Sequence, residues 1–62
     1  MNKDVSIILS TYNEALFIEE TINQIFKNLD NVEIILVDDN STDGTLEIVK
    51  KINNPNIKVY SR

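Results

Sequence analysis

Two short stretches of the chain hold the side chains most able to do chemistry. They are STYNE at residues 10–14 and DDNSTDG at residues 38–44. Each follows directly on an apolar, β-branched run, VSIIL in the first case and VEIILV in the second. Carboxylates, hydroxyls and amides set at the end of a buried run are costly unless they bond something there. The acids involved are Glu14, Asp38 and Asp39, with no basic residue beside them. An ionised carboxylate only accepts hydrogen bonds, so such a rim suits ring N–H groups and sugar hydroxyls. It repels a bare diphosphate. Two phosphate-cradling devices are also missing: the chain has a single glycine, Gly44, and neither glycine-rich phosphate motif. A nucleoside fits this chemistry, with Tyr12 offering a flat face to its base or ribose, provided a divalent cation or basic groups from elsewhere take the phosphates.

The elements that must position these residues are readable from the apolar pattern. Val5–Leu9 reads as a strand covered on both faces. From Ala15 to Leu29, residues Ala15, Ile18, Ile22, Ile25, Phe26 and Leu29 fall three and four apart, the stripe of an amphipathic helix. Asn13 stands where an N-cap belongs, and Glu14 suits the positive end of the helix dipole. Val32–Val37 is a second buried strand. A second helix follows, capped by Ser41 or Thr42, with Asp43 in its first turn and a stripe of Leu46, Val49 and Ile52. NNPN stops it, and Ile57–Tyr60 is a third, short strand. Strands alternating with helices of this length give a parallel sheet with right-handed crossovers. The expected architecture is α/β: a β-α-β-α-β unit, strand order 3-2-1, helices packed on the sheet, and residues 1–62 forming one partial domain. Ligands of open α/β sheets bind beyond the carboxyl ends of the strands, where both polar stretches lie.

The totals set bounds. A 62-residue chain buries only about 60% of its unfolded surface, which leaves it marginal. Cysteine and histidine are absent, which removes disulfides and the common zinc sites as supports. The first strand lies at a border of the sheet with its outer side unpaired, and such an edge is sticky. Homo-oligomerisation through that open edge is therefore expected. Net charge is −4, and no basic stripe exists for nucleic acid. No apolar run approaches the ~20 residues of a membrane span, and MNKDVSIILS is too short in its apolar part for a signal peptide. A soluble, cytoplasmic chain is the default expectation.

SIILSTYNE followed by EIILVDDNSTDGT closely resembles the start of family-2 glycosyltransferases of the GT-A fold. The likeness is nearest to polyprenyl-phosphate sugar synthases and bacterial polysaccharide transferases, and it spans nearly the whole chain. It implies the N-terminal, nucleotide-recognising segment of an inverting enzyme that uses a UDP- or GDP-sugar and a lipid-phosphate or saccharide acceptor. Carried over by position, Ser10 stands against the base or ribose, where many members carry proline or threonine. Tyr12 packs on the base, Glu14 holds a ribose hydroxyl, Val37 lines the base pocket and Asp39 accepts from the base ring N–H. Asp38 braces the loop, since neighbouring strand residues point to opposite faces. The resemblance implies Mg²⁺ or Mn²⁺ for the full-length parent, held by a D-x-D-type motif beyond residue 62, as is the general base. Membrane attachment, common in the family, comes through later segments. On this reading the chain alone carries no catalytic residue and no metal ligand, and is inactive.

Other readings compete. Tyr12 can be a loop aromatic packed for stability, and Glu14 a dipole partner worth ~0.3–1 kcal/mol. Ser41 to Gly44 are capping and turn chemistry first. IILVDDN also resembles the first strand and acid pair of a response-regulator receiver domain. There the pair closes the first strand and the phosphorylated aspartate lies far downstream, whereas here a strand and helix precede the pair and no aspartate follows Asp43. The remaining alternative is a catalytically inert, self-associating βαβαβ fragment.

Overall fold

The computed structural model describes residues 4–62. Residues 1–3, the start of the stretch weighed above as a signal peptide, lie outside it. The elements run β1 (Val5–Thr11), α1 (Ile18–Asn28), β2 (Val32–Asp38), α2 (Thr45–Ile52) and β3 (Ile57–Ser61). The sheet is parallel throughout, with β2 in the middle and β1 and β3 at its borders. This is the expected order, and it sets Ile7, Leu9 and Thr11 beside Ile34, Leu36 and Asp38.

Two crossovers of the same hand, stepping the same way across the sheet, put both helices on one face. The core forms there: Ile18 and Ile22 from α1 and Val49 from α2 close over Ile34 and Leu36, with Leu9, Ile25, Phe26, Ile48, Ile52, Ile57 and Val59 packed round them. Each fully buried aliphatic side chain contributes roughly 1.5–3 kcal/mol. Lys27 in the last turn of α1, and Lys50 and Lys51 in that of α2, sit where the helix dipole favours cations.

The opposite face is bare, which corrects the reading of β1 as covered on both sides. Ile8, in register with Ile35, is 69% exposed. The reason is topological: two helices suffice for one face only. The bare face is ordered in rows. Ser6 donates to Glu33 at 2.7 Å and Lys58 lies 3.8 Å from the same carboxylate. Next come Ile8, Ile35 and Lys58, then Ser10, Val37 and Tyr60.

Both helices begin later than the sequence reading placed them. Helix α1 starts at Ile18, not Ala15, and neither Asn13 nor any other side chain caps it. The Glu14 carbonyl instead accepts from Phe17 N–H at 3.0 Å and Ile18 N–H at 2.9 Å, closing a turn that leaves Leu16 and Phe17 exposed. Helix α2 starts at Thr45 behind Gly44, whose φ of 92° is left-handed. Ser41 and Thr42 are therefore not its caps, and Asp43 precedes the first turn. No atom would obstruct a Cβ at Gly44, so glycine is favoured there by the backbone angle and not by space.

Candidate functional site

The two polar stretches lie at the same end of the sheet, in the loops that leave β1 and β2. Their side chains divide into those held by the fold and those left over. Asp38, the last residue of β2, points to the helical side and is fully buried. It accepts from the Thr11 hydroxyl at 2.7 Å, the Ser41 N–H at 2.8 Å and the Ser41 hydroxyl. Burial pushes its pKa up, but the two Ser41 bonds and the Thr11 bond outweigh it and hold the carboxyl below its ordinary value. Asp38 thus braces the loop, as the alternation of strand faces predicts.

Asp43 does the same for the next turn. One of its oxygens accepts from the Thr45 hydroxyl and, at 3.1 Å, from the Thr45 N–H; the other accepts from Ala15 N–H at 3.0 Å. The Thr45 hydroxyl bond is the main cause of its lowered pKa; burial opposes the shift, and the backbone N–H groups of Ala15, Thr45 and Asp43 itself add to it.

Three successive amides of the first loop reach across to side chains of the second stretch and of Thr45, where α2 begins. Asn13 N–H donates to Ser41 Oγ at 2.9 Å, Glu14 N–H to Thr45 Oγ1 at 2.9 Å, and Ala15 N–H to Asp43. In return, Thr42 N–H donates to Asn13 Oδ1 at 2.8 Å, and Asp39 N–H to the Thr11 carbonyl at 2.9 Å. Asn13 and Asn40 take φ of 51° and 61° to allow this, and asparagine tolerates that region better than most residues. With these amides engaged, the first loop has no row of N–H groups free to cradle a phosphate.

Glu14 and Asp39 are the acids left over. Both are exposed, and neither carboxylate makes a hydrogen bond or ion pair among the described residues. Tyr12 lies between the strand end and Asn13, 59% exposed. Ser10 and Val37 are register partners on the bare face, Ser10 exposed and Val37 half-buried. The structure therefore gathers Ser10, Tyr12, Glu14, Val37 and Asp39 at one end of the sheet, on two strands and two loops tied together. Hollows on the helical side hold none of them: Glu19, Ile48, Lys51 and Ile52 line one, and Phe17, Glu20, Thr21, Gln24 and Ile25 another. The sequence reading missed the binding function of Asn13, Ser41, Asp43 and Thr45 toward the other loop. The available signal was their type, since these side chains readily bond backbone groups.

Residues 6–62 match the sequence model of glycosyl transferase family 2. The chain belongs to that family. Over 51 residues it is 47% identical to an uncharacterised glycosyltransferase of Mycoplasma genitalium, covering 77% of this chain and 17% of that protein. Over 58 residues it is 43% identical to the poly(ribitol-phosphate) beta-N-acetylglucosaminyltransferase TarS of Staphylococcus aureus, covering 87% of this chain and 10% of that one. The mannosyltransferase PcManGT of Pyrobaculum calidifontis, solved in complex with GDP-Man and Mn²⁺, superimposes with a TM-score of 0.75 at 32% identity, over 100% of this chain and 19% of its own. The family-2 chain thus spans a fifth or less of each of these three relatives, and its α/β unit is that of a GT-A glycosyltransferase.

The Mn²⁺ of that neighbour raises the question of a cation here. Among the described residues of this family-2 chain, no group of three or more His, Cys, Asp or Glu side chains could hold a metal ion. Asp38 and Asp43 are already bonded by the loops, and Glu14 and Asp39 are two carboxylates without a third. The residues present do not make up a divalent-cation site. No helix among them is long and apolar enough to cross a membrane.

Proposed function

We propose that this chain is the nucleoside-recognising part of an inverting, nucleotide-sugar-dependent glycosyltransferase, with a UDP- or GDP-sugar as donor and a lipid-phosphate or saccharide as acceptor. The observation that carries the reading is the division of the acids. Asp38 and Asp43 are held by the fold, while the Glu14 and Asp39 carboxylates stand exposed, with no partner among the described residues, on two joined loops. Exposed carboxylates at the carboxyl end of a parallel sheet suit a ligand that donates from a ring N–H and from ribose hydroxyls. Asp39 takes the first role, Glu14 the second, Tyr12 stacks, and Ser10 and Val37 bound the base. The GDP-Man bound to the Pyrobaculum neighbour supports a donor of this class. Sugar transfer itself calls for charge stabilisation at the leaving diphosphate and a base for the acceptor. This chain's share is to hold the nucleoside.

The test is an NMR titration of the labelled chain with UDP and with GDP, each with and without Mn²⁺. Millimolar binding, equivalent to about −4 kcal/mol, with shifts at Tyr12, Glu14 and Asp39 and loss in Asp39→Ala, is the expected outcome. No shift at any concentration, or unchanged affinity in Asp39→Ala, overturns the reading. It would favour the inert, self-associating fragment, for which the bare sheet face around Ile8 speaks.

A further inference from the structure

We propose that Asp43 and Asn13, with the hydroxyls of Ser41 and Thr45, are positioning residues that fix the loop bearing Tyr12 and Glu14 against the loop bearing Asp39, so that both exposed carboxylates meet one ligand. The inference rests on the nucleoside reading above and adds residues to it that touch no ligand themselves. Neither loop has regular structure of its own: residues 12–17 and 39–44 lie between the strand ends and the helix starts. The β1–β2 register ends with Thr11 against Asp38, and the backbone bond from Asp39 N–H to the Thr11 carbonyl is the last sheet-like link. Beyond it, the position of Glu14 relative to Asp39 depends on side chains.

Those side chains form two parallel chains of bonds. In one, Asn13 N–H donates to Ser41 Oγ, whose own proton goes to Asp38. In the other, Glu14 N–H donates to Thr45 Oγ1, whose proton goes to Asp43. The aspartates accept only, so each hydroxyl is oriented: it gives its proton to the acid and turns a lone pair to the first loop. Asp43 also takes Ala15 N–H on its second oxygen, and Asn13 Oδ1 takes Thr42 N–H. Glu14 is therefore gripped at its own amide and at both neighbouring amides while its carboxylate stays free. Bonds to a charged acceptor are the strong kind, and the lowered pKa of Asp43 agrees with that charge being retained. A loop that only needed closing could use any of these bonds. Gripping three consecutive amides fixes the direction in which the middle side chain leaves.

The experiment is a double-mutant cycle on nucleotide affinity, read by NMR titration with whichever of UDP or GDP the wild-type chain binds. Asp43→Asn keeps size and one acceptor oxygen but cannot serve both Ala15 and Thr45. Glu14→Gln and Asp43→Asn are each expected to weaken binding about tenfold, as for loss of a charged hydrogen bond. The double variant is expected to be no more than about twofold weaker than either single one, because a misplaced Glu14 has no contact left to lose. Multiplying effects, about 100-fold in the double variant, overturn the proposal while leaving the nucleoside reading intact, and so does unchanged affinity in Asp43→Asn. No binding by the wild-type chain, or no effect of Glu14→Gln, overturns the nucleoside reading and the proposal with it. Should Asp43→Asn fail to fold, Asn13→Ala in the same cycle must show the same non-additivity, with Ile34 and Leu36 amide shifts confirming an intact sheet.

Discussion

Replacing Asp38 with alanine takes the acceptor away from three donors: the Thr11 hydroxyl, the Ser41 N–H and the Ser41 hydroxyl. Thr11 is 3% exposed and cannot turn to water, whereas Ser41 is half-buried and partly can. An unsatisfied buried donor costs about 1–3 kcal/mol, so the three together cost roughly 3–5 kcal/mol once Ser41 is allowed some solvent. At about 0.05–0.15 kcal/mol per residue, a chain of this length has roughly 3–9 kcal/mol to lose. Asp38→Ala should therefore remove most of the stability. The Asp39 carboxylate, one position on, is exposed with no partner among the described residues, and Asp39→Ala should stay within about 0.5 kcal/mol of wild type. Urea unfolding followed by far-UV circular dichroism, at two protein concentrations, measures both. With an m-value near 1 kcal/mol/M, the midpoints of the two variants should differ by about 3 M. A loss under about 1 kcal/mol in Asp38→Ala, or equal losses in the two, would refute the division of the acid pair into a structural and a functional member.

Asp38 and Asp43 both have lowered pKa values, so the stability they confer is complete above the unfolded value of 3.8 and disappears as pH falls through their folded values. Melting temperature should thus be nearly flat from neutral pH down to about 4 and drop below it, less steeply in Asp43→Asn; an equally steep drop in that variant would contradict the assignment. Among the described residues nothing pairs with the outer edge of β1, and the isolated protein should dimerise through it. Sedimentation equilibrium is the check: a folded monomer at high concentration contradicts it, and Ile8→Lys should shift any dimer toward monomer.

Much of the fold was legible because it rests on local periodicity. The apolar runs placed three strands within two residues of their observed ends, and Ile18, Ile22 and Val49 fell on the buried stripes as expected. The period of two also separated inward Asp38 from outward Asp39. What stayed hidden depends on residues far apart in the chain. Asn13, Ser41 and Asp43 have the composition of helix caps, and locally nothing opposes that reading. Each also bonds the other loop, 28–29 residues away, and the helices start only at Ile18 and Thr45. The bare face was missed for a different reason. Ile8 completes a continuous apolar run, yet it stands between Ser6 and Ser10, and that alternation marked a strand with one dry side.

The hydroxyls of Ser41 and Thr45 carry a consequence for how these loops can change over evolutionary time. Each is a single oxygen acting in both directions at once, a swivel between a backbone amide and an acid. Alanine and valine can do neither half of that work, asparagine splits donor and acceptor between two atoms set farther out, and the serine–threonine exchange keeps both on one oxygen. Loss of either hydroxyl frees a backbone amide and an acid together, whereas the Glu14 and Asp39 carboxylates beside them, without a partner among the described residues, can be exchanged without breaking a bond of the loops.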